Sequence, residues 1–406
     1  MKIVVLGGAG AMGQVIVRDL LEFGHEKEVT IADFNIERAE QMVQQLRRKG
    51  LCLAAVGAAN AGSGHKVKAE FADIKDKVQL VSVLKGKDIV INSGPYVFNI
   101  EVMEAALVAG CHYVDLGGLF HTTRKQLELH ERFLEKNLLA VLGMGAAPGM
   151  TNIMAAAGAN ELDTVESIDV SVGCIDFVKT AHPLLPPYAL DTLLDEYTLE
   201  PMVFRNGKFE SVKPMSGEIE LDLPAPVGKC SAIFTLHSEV ATLPLTYKSK
   251  GVQNVTFRLG LPEELHKALK FLVDLGFGTT EALPNELGGV NPRKVLAHLI
   301  GRIETPIVDP NDSEVVRVDI AGKKSGNKKL VRMETTVLAH KEWNVSCGAL
   351  DTGVPPSIVA HMIARGEIKA RGVLAPELCV PIQPFFDELA KRDIFMRQIT
   401  EEFCSH

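Results

Sequence analysis

Lys2-Ile3-Val4-Val5-Leu6-Gly7-Gly8-Ala9-Gly10-Ala11-Met12-Gly13 decides the fold of this chain. Ile3–Leu6 is a continuous apolar run, the pattern of a strand buried on both faces. Gly8-Ala9-Gly10-Ala11-Met12-Gly13 follows directly, and Val15, Ile16 and Leu20 then fall at helical spacing as far as Gly24. A G-x-G-x-x-G run is weak alone. Between a buried strand and a helix start it reads as a phosphate-binding turn. Gly8 reads as the tight-turn residue, Gly10 as the point where backbone approaches a pyrophosphate, and Gly13 as the helix–strand contact. The helix start, at Ala11, Met12 and Gly13, supplies amide donors and partial positive charge to the phosphates.

Val29–Ala32 reads as the second strand, and Asp33 stands at its end, about 20 residues beyond the glycines, as a dinucleotide fingerprint requires. A carboxylate there accepts hydrogen bonds from both ribose hydroxyls and repels a 2′-phosphate, so NAD is expected over NADP. Arg38 is a candidate to stack on adenine or clamp a phosphate, or else an exposed helix residue. Ile36, Ala39, Val43 and Leu46 mark the next helix, closed by Gly50. After a loose Ala/Gly segment at Gly57–Gly64, Val67–Phe71, Asp88–Asn92 and Tyr113–Leu116 read as strands three to five, with a helix at Val102–Ala109. This alternation implies right-handed crossovers and a parallel sheet. Ligands bind at the carboxyl edge of such sheets. Candidate cofactor contacts on that rim are Asp73 near adenine, Asn92, Ser93, Gly94 and Pro95 after the fourth strand, and Gly117 after the fifth.

Beyond residue 165 the texture changes. Pro262–Leu275 reads as a helix with Leu265, Leu269 and Leu272 inward. Val316, Val318 and Ile320 alternate with Arg317 and Asp319, and a turn holding Gly322 and Gly326 leads into Leu330–Leu338, the pattern of an antiparallel hairpin. The expected fold is therefore α/β: a Rossmann-type, doubly wound parallel sheet with a second α+β domain on a mixed or antiparallel sheet. Residues 1–120, joined by about 352–406, form the dinucleotide-binding domain, and about 121–351 the substrate-binding and dimerisation domain.

With 406 residues, 43 Lys and Arg against 51 Asp and Glu, and a net charge of −8, no global basic field draws the chain to nucleic acid or anionic lipid. Lys323, Lys324, Lys328 and Lys329 read as a solvated hairpin tip. Seven Cys without a C-x-x-C pair fit reduced, packed thiols better than disulfides or zinc, so no metal site is expected. Ile3–Leu6 is too short for a signal-peptide core. Asn137–Asn160 carries no charge, yet Gly143, Gly145, Pro148, Gly149 and Asn152 interrupt it, so a strand, loop and buried helix start explain it better than a membrane span. The expected protein is soluble and cytoplasmic.

The glycine turn, Asn92–Tyr96, His112-Tyr113-Val114-Asp115-Leu116-Gly117-Gly118 and Ala147-Pro148-Gly149-Met150-Thr151-Asn152 together resemble the saccharopine dehydrogenase-like superfamily. Leu127–Arg132, Val165–Ile168, the Thr192–Tyr197 helix and His361–Gly372 with Pro376-Glu377 extend the likeness towards its lysine 6-dehydrogenases. The resemblance implies a homodimer or larger assembly and an NAD-dependent oxidoreductase acting on an amino-acid C–N bond. Oxidative deamination of the lysine side chain is the first expectation. A saccharopine reductase, or a related enzyme joining an amine to an aldehyde, is the rival. A nucleotide-binding module without turnover is the alternative of another class.

Amine oxidation needs a positioned nicotinamide, a hydride-bearing C–N unit, a base and anchors for distal charges. With an alkylammonium pKa of about 10.4, only about one molecule in 2,500 is neutral at pH 7, so a base of tuned pKa is a kinetic requirement. His121, just past the fifth strand, is the nearest candidate, with His182, His237 and Glu239 from the second domain. Asp115 would orient a His or bind the substrate ammonium, and Tyr96 belongs to the same rim. Arg258 is the candidate for a substrate carboxylate, because a planar fork matches one bidentately. Arg205 and Arg258 are a sparse cationic set, which leans towards the smaller substrate. Met144, Met150 and Met154 read as packing.

Overall fold

The computed structural model describes residues 1–24, 27–52, 66–178, 184–303 and 309–403. The loose segment Gly57–Gly64 and the candidate base His182 lie outside them. The chain divides into two compact units, Met1–Ala157 with Ala349–Met396, and Gly158–Gly348 with the terminal segment from Arg397.

The first unit runs β1 (Lys2–Leu6), α1 (Ala11–Phe23), β2 (Glu28–Asp33), α2 (Ile36–Arg48), β3 (Lys66–Phe71), α3 (Lys77–Leu84), β4 (Ile89–Asn92), α4 (Asn99–Ala109), β5 (His112–Asp115), α5 (Leu119–Leu127), α6 (His130–Glu135) and β6 (Leu139–Val141). Its sheet is parallel throughout, in the order Gly372–Leu374, β6, β5, β4, β1, β2, β3. The strand order reverses between β1 and β4, which makes that point the ligand crevice of an open α/β sheet. Ile3, Val4, Val5 and Leu6 are fully buried, as their unbroken apolar run requires. In α2, Ala39, Met42, Val43 and Leu46 face the core. Asn35 caps that helix by accepting from the Arg38 amide, so its start is fixed by sequence.

This unit extends past the residue-120 boundary expected from the sequence, as far as Ala157, and β6 adds a further parallel strand to the sheet beside β5. The returning segment is locked on by a buried ion pair. Arg392 donates to both oxygens of Asp19, at 2.7 and 3.0 Å, and lies 3.9 Å over the Phe23 ring. Removing one partner would leave an unpaired buried charge, a loss of about 3–5 kcal/mol.

The second unit is built on a nine-stranded sheet with Thr164–Asp176 at its centre, parallel to Asn254–Gly260 and antiparallel to Asp312–Lys324. Asp312–Lys324 forms a hairpin with Asn327–Leu338 around Ser325 and Gly326, both at positive φ. Gly322 lies within the strand, at a register shift, and not in the turn. A Cβ there would stand 2.0 Å from the Thr164 carbonyl oxygen. The last strand, Arg397–Phe403, pairs with Asn327–Leu338, so this strand belongs to the second unit and not to the nucleotide fold. The helix at 262–275 forms as Glu263–Asp274, with Leu265 and Leu269 buried and Leu272 half-buried.

The uncharged stretch Asn137–Asn160 becomes β6, a loop and the helix Met150–Asn160. Among the described residues no helix is long and apolar enough to cross a membrane. Their six cysteines are free thiols, and burial pushes that of Cys111 up to about 12. No group of metal-ligating side chains occurs among the described residues.

Candidate active site

The glycine turn is shaped by crowding. Gly7, one residue before the predicted turn position, holds the positive φ of +68°. A Cβ on Gly8 would lie 2.9 Å from the Val5 carbonyl, and one on Gly13 would lie 2.3 Å from Gly7 O and 2.6 Å from Gly8 Cα. Gly8 and Gly13 are thus required by close approach, and the conformational freedom belongs to Gly7. The first α1 hydrogen bond runs from Gln14 N to Gly10 O, so the amides of Ala11, Met12 and Gly13 precede the helical ladder. That is a donor set for a pyrophosphate, next to a backbone that a side chain would fill. Asp33 completes the fit. Its Oδ2 accepts from Ala9 N at 3.0 Å and its Oδ1 from Asn35 N at 2.9 Å. These bonds hold the carboxylate at the end of β2, with acceptor capacity left for ribose hydroxyls. Arg38 is exposed in the first turn of α2, and Asp73 is half-buried with its Oδ1 taken by Lys75 N at 2.9 Å. The sequence reading missed Phe34 and Phe71, exposed rings 5.7 Å apart at the ends of β2 and β3.

At the β1–β4 switch point, Ser93 joins the two strand ends through its amide and hydroxyl, both donated to Leu6 O at 3.0 and 2.7 Å. Asn92 is buried. Its Oδ1 accepts from Gly94 N at 3.1 Å, and its Nδ2 donates to Asn99 Oδ1 at 2.9 Å. Pro95 and Tyr96 follow as a short exposed-to-half-buried turn. Asn99 passes the chain of bonds on, donating to Asp115 Oδ2 and to Gly117 O, each at 3.1 Å.

Asp115 is fully buried at the end of β5. Beside Asn99, its carboxylate accepts from Tyr113 Oη at 2.8 Å, Gln126 Nε2 at 2.5 Å, Gly117 N at 2.9 Å and Gly143 N at 2.6 Å. Burial raises its pKa, and the donors from Gly143, Gln126 and Tyr113 work against that rise. It organises the rim by binding β5, α4, α5 and the loop after β6 together. The loop at residues 143–149 is closed by Gly145 N to Pro148 O at 2.7 Å and by Asn152, which accepts from Gly149 N and donates to Glu377 at 2.8 Å. Met144, Met150 and Met154 are fully buried packing residues. His121 lies exposed on α5, edge-on to Phe120, and holds none of the bonds to Asp115.

The second unit holds a separate polar cluster. His237 Nδ1 is hydrogen-bonded to Glu239 Oε2 at 2.7 Å, and its Nε2 lies 3.8 Å from Glu196 Oε1. The imidazole stacks on Phe257 at 3.5 Å between ring centroids, 6° from parallel. Tyr188 donates a short hydrogen bond to the other Glu196 oxygen. Burial lifts the Glu196 carboxyl to about 7, although the charge of His237 opposes it. Burial alone would lower His237, but the charge and hydrogen bond of Glu239 and the charge of Glu196 outweigh it, so its pKa is raised. The i, i+2 spacing of His237 and Glu239 was visible in the sequence. Glu196 and Tyr188 carried no local signal.

Arg258 follows Phe257 in the same strand and so points to the opposite face of the sheet from His237. Its guanidinium lies 4.1 Å over Phe234 and donates to Gly217 O and Thr256 Oγ1, each at 3.1 Å. Arg205 approaches the same ring at 5.4 Å. The two arginines come together, on the face turned away from the imidazole.

Residues 3–141 match the saccharopine dehydrogenase NADP binding domain, and residues 145–394 match the saccharopine dehydrogenase C-terminal domain. Carboxynorspermidine synthase of Vibrio cholerae is 24% identical over 401 residues, covering 94% of this chain and 93% of its own. Carboxyaminopropylagmatine dehydrogenase of Synechocystis is 21% identical over 401 residues, covering 96% and 95%. Among solved structures, saccharopine dehydrogenase (L-Glu forming) of Saccharomyces cerevisiae shares the fold, with a TM-score of 0.73 at 18% identity over 98% of this chain and 99% of its own. Homospermidine synthase of Legionella pneumophila, in complex with NAD, has a TM-score of 0.66 at 13% identity, over 98% and 91%.

Proposed function

This chain belongs to the saccharopine dehydrogenase family, and from that premise we propose that its substrate is a secondary amine in which an amino acid and an amine share one nitrogen. It is a nicotinamide-dependent dehydrogenase. Bound at the glycine turn, the dinucleotide supplies or accepts the hydride. The chain's own groups bind it through the Ala11–Gly13 amides and Asp33, and Asp33 favours NAD over NADP by repelling a 2′-phosphate. In the oxidative direction the secondary ammonium loses a proton and a hydride, and water then splits the iminium into a carbonyl compound and a primary amine. Reduction reverses each step.

The observation that carries this reading is the buried Glu196–His237–Glu239 cluster. Glu196, whose carboxyl burial lifts to about 7, is the group of this cluster that can take up near neutrality the proton that an ammonium must release. The names of the relatives, enzymes of carboxylated polyamines, point the same way. The sequence expectation of lysine side-chain oxidation rests on motif resemblance, and it demands a primary amine. Appearance of reduced nicotinamide is therefore to be followed with NAD and with NADP against carboxynorspermidine, saccharopine and lysine. Turnover of the secondary amines is expected, with the more cationic carboxynorspermidine ahead of saccharopine. Turnover of lysine alone would overturn the proposal in favour of the lysine reading. Tight dinucleotide binding with no turnover across the panel would favour a binding module.

A further inference from the structure

The last turn of the helix Leu190–Thr198, which carries Glu196, is gripped by a second set of side chains. Arg293, buried at the start of the helix Pro292–Ile300, donates through Nη1 to Asp195 Oδ1 at 2.5 Å and through Nη2 to Thr198 Oγ1 at 3.3 Å. Residues i and i+3 share a helix face, so the guanidinium fork spans one whole turn, which the point charge of a lysine could not do. Its Nε and Nη2 also donate to Gly278 O, at 3.0 and 2.6 Å. A Cβ on Gly278 would stand 2.4 Å from Thr198 Cγ2, so the backbone there is closed against the same turn. Arg293 is itself placed by local signals. Asn291 caps its helix by accepting from Lys294 N, and Pro292 occupies the first position. Tyr197, on the gripped turn, meets His266 Nδ1 at 2.8 Å.

Asp195 and Glu196 are neighbours in the chain and leave the helix about 100° apart, one towards Arg293 and the other towards His237. We propose that Arg293 is a positioning residue for Glu196, clamping the turn that aims this carboxyl at His237 and neutralising the carboxylate beside it. The inference rests on the reading of Glu196 as the proton acceptor and adds the group that sets its place. Burial is the main cause of the raised pKa of Glu196, and the charge of Asp195 adds to it, against the charge of His237 and the hydrogen bond of Tyr188. Glu239 acts on Glu196 from the start of its own helix, while Cys174, on the central strand, and His266 act on the neighbouring tyrosines. Removing the guanidinium exposes the Asp195 charge to Glu196, which then keeps its proton to higher pH. Removing the Asp195 charge leaves the guanidinium to favour the ionised form. The two changes act in opposite directions and cancel when combined, a reversal that a residue holding only the fold would not produce.

Infrared difference titration of the full chain follows the Glu196 carboxyl without any substrate, its signal identified by its loss in Glu196→Gln. From a native midpoint of about 7, Arg293→Gln is expected to move the titration up by about one pH unit, and Asp195→Asn to move it down by a similar amount. The double variant is expected to return to the native midpoint. Asp195→Asn, almost unchanged in size, keeps the test decisive if Arg293→Gln fails to fold. Midpoints that stay fixed in the single variants, or that move the same way in both, would overturn the proposal and leave Arg293 a fastener of the fold. The pH dependence of amine oxidation in the same variants separates this from the reading beneath it. Opposite shifts of the midpoint with an unmoved activity profile would uphold the place of Arg293 and remove Glu196 from the chemistry. A native chain in which Glu196 does not titrate between about pH 5 and 9 would sink both.

Discussion

Asp115 in the first unit and Glu196 in the second are both acids withdrawn from water, and burial raises the pKa of each. Their neighbours make them different devices. Asp115 accepts from two backbone amides, two carboxamides and a phenol, and burial pushes that phenol, Tyr113, well above its ordinary value. None of these partners exchanges a proton near neutrality, so the carboxylate is a fastener. Glu196 faces His237, Glu239 and Tyr188, and its own carboxyl, lifted by burial to about 7, changes charge near neutrality. Burial does not make an acid catalytic; a partner able to exchange the proton does.

The largest effect that can break this contrast is expected at the fastener. Asp115→Ala would leave buried donors on Asn99, Tyr113, Gln126, Gly117 and Gly143 without their acceptor. At about 1–3 kcal/mol for each unsatisfied group, a loss of at least about 4 kcal/mol is expected in chemical denaturation. A loss below about 1 kcal/mol would show that the rim does not depend on this residue.

The next effect is a dependence on pH. The pKa of Glu196 is raised from its ordinary 4.5 to about 7, so the fold holds a proton there that the unfolded chain releases. Its contribution to stability is full below about pH 4.5 and is lost as pH climbs through about 7, and the raised pKa of His237 acts in the same direction. Tyr188, Glu239 and Asp195 are the other charged or titratable groups acting on this pair. Native stability is expected to fall by up to about 3 kcal/mol between pH 5 and 8, and Glu196→Gln to flatten that slope. Calorimetric melting at a series of pH values measures both. Parallel slopes in native and variant would place the shared proton elsewhere.

The smallest effect sharpens the first unit alone. Asp33→Ser removes the charge opposed to a 2′-phosphate while keeping a hydroxyl for the ribose. The ratio of NADPH to NADH affinity is expected to rise about tenfold. An unchanged ratio in titration would assign cofactor choice to another group, with Arg38 the first to examine.

The first unit was legible wherever its signals were local. Ile3–Leu6, the glycine run and Asp33 announced strand, turn and acid within a few dozen residues, and all three stand where they were expected. Gly7 and Gly322 show the limit of that legibility. The sequence marks that a glycine is needed, but whether it supplies a positive φ, as Gly7 does, or yields to a neighbouring carbonyl, as Gly322 does beside Thr164, depends on what packs there. In the second unit, His237 was one candidate among several histidines, and Glu196 was not recognised at all. The alternation in Asn254–Gly260 would have separated Phe257 from Arg258 by face, had the strand been recognised.

What the sequence determined by itself was the alternation of strands and helices, the dinucleotide turn, and the change of texture after residue 165. Apolar period and turn chemistry act through the backbone over neighbouring residues, so they can be read without a fold. Only the tertiary structure decided that Asp115 is a fastener, that Glu196 shares a buried cluster with His237, and that the C-terminal strand leaves the nucleotide fold. Hydrogen-bond partners and desolvation arise between residues far apart in the chain, and these, more than residue type, fix where a proton resides.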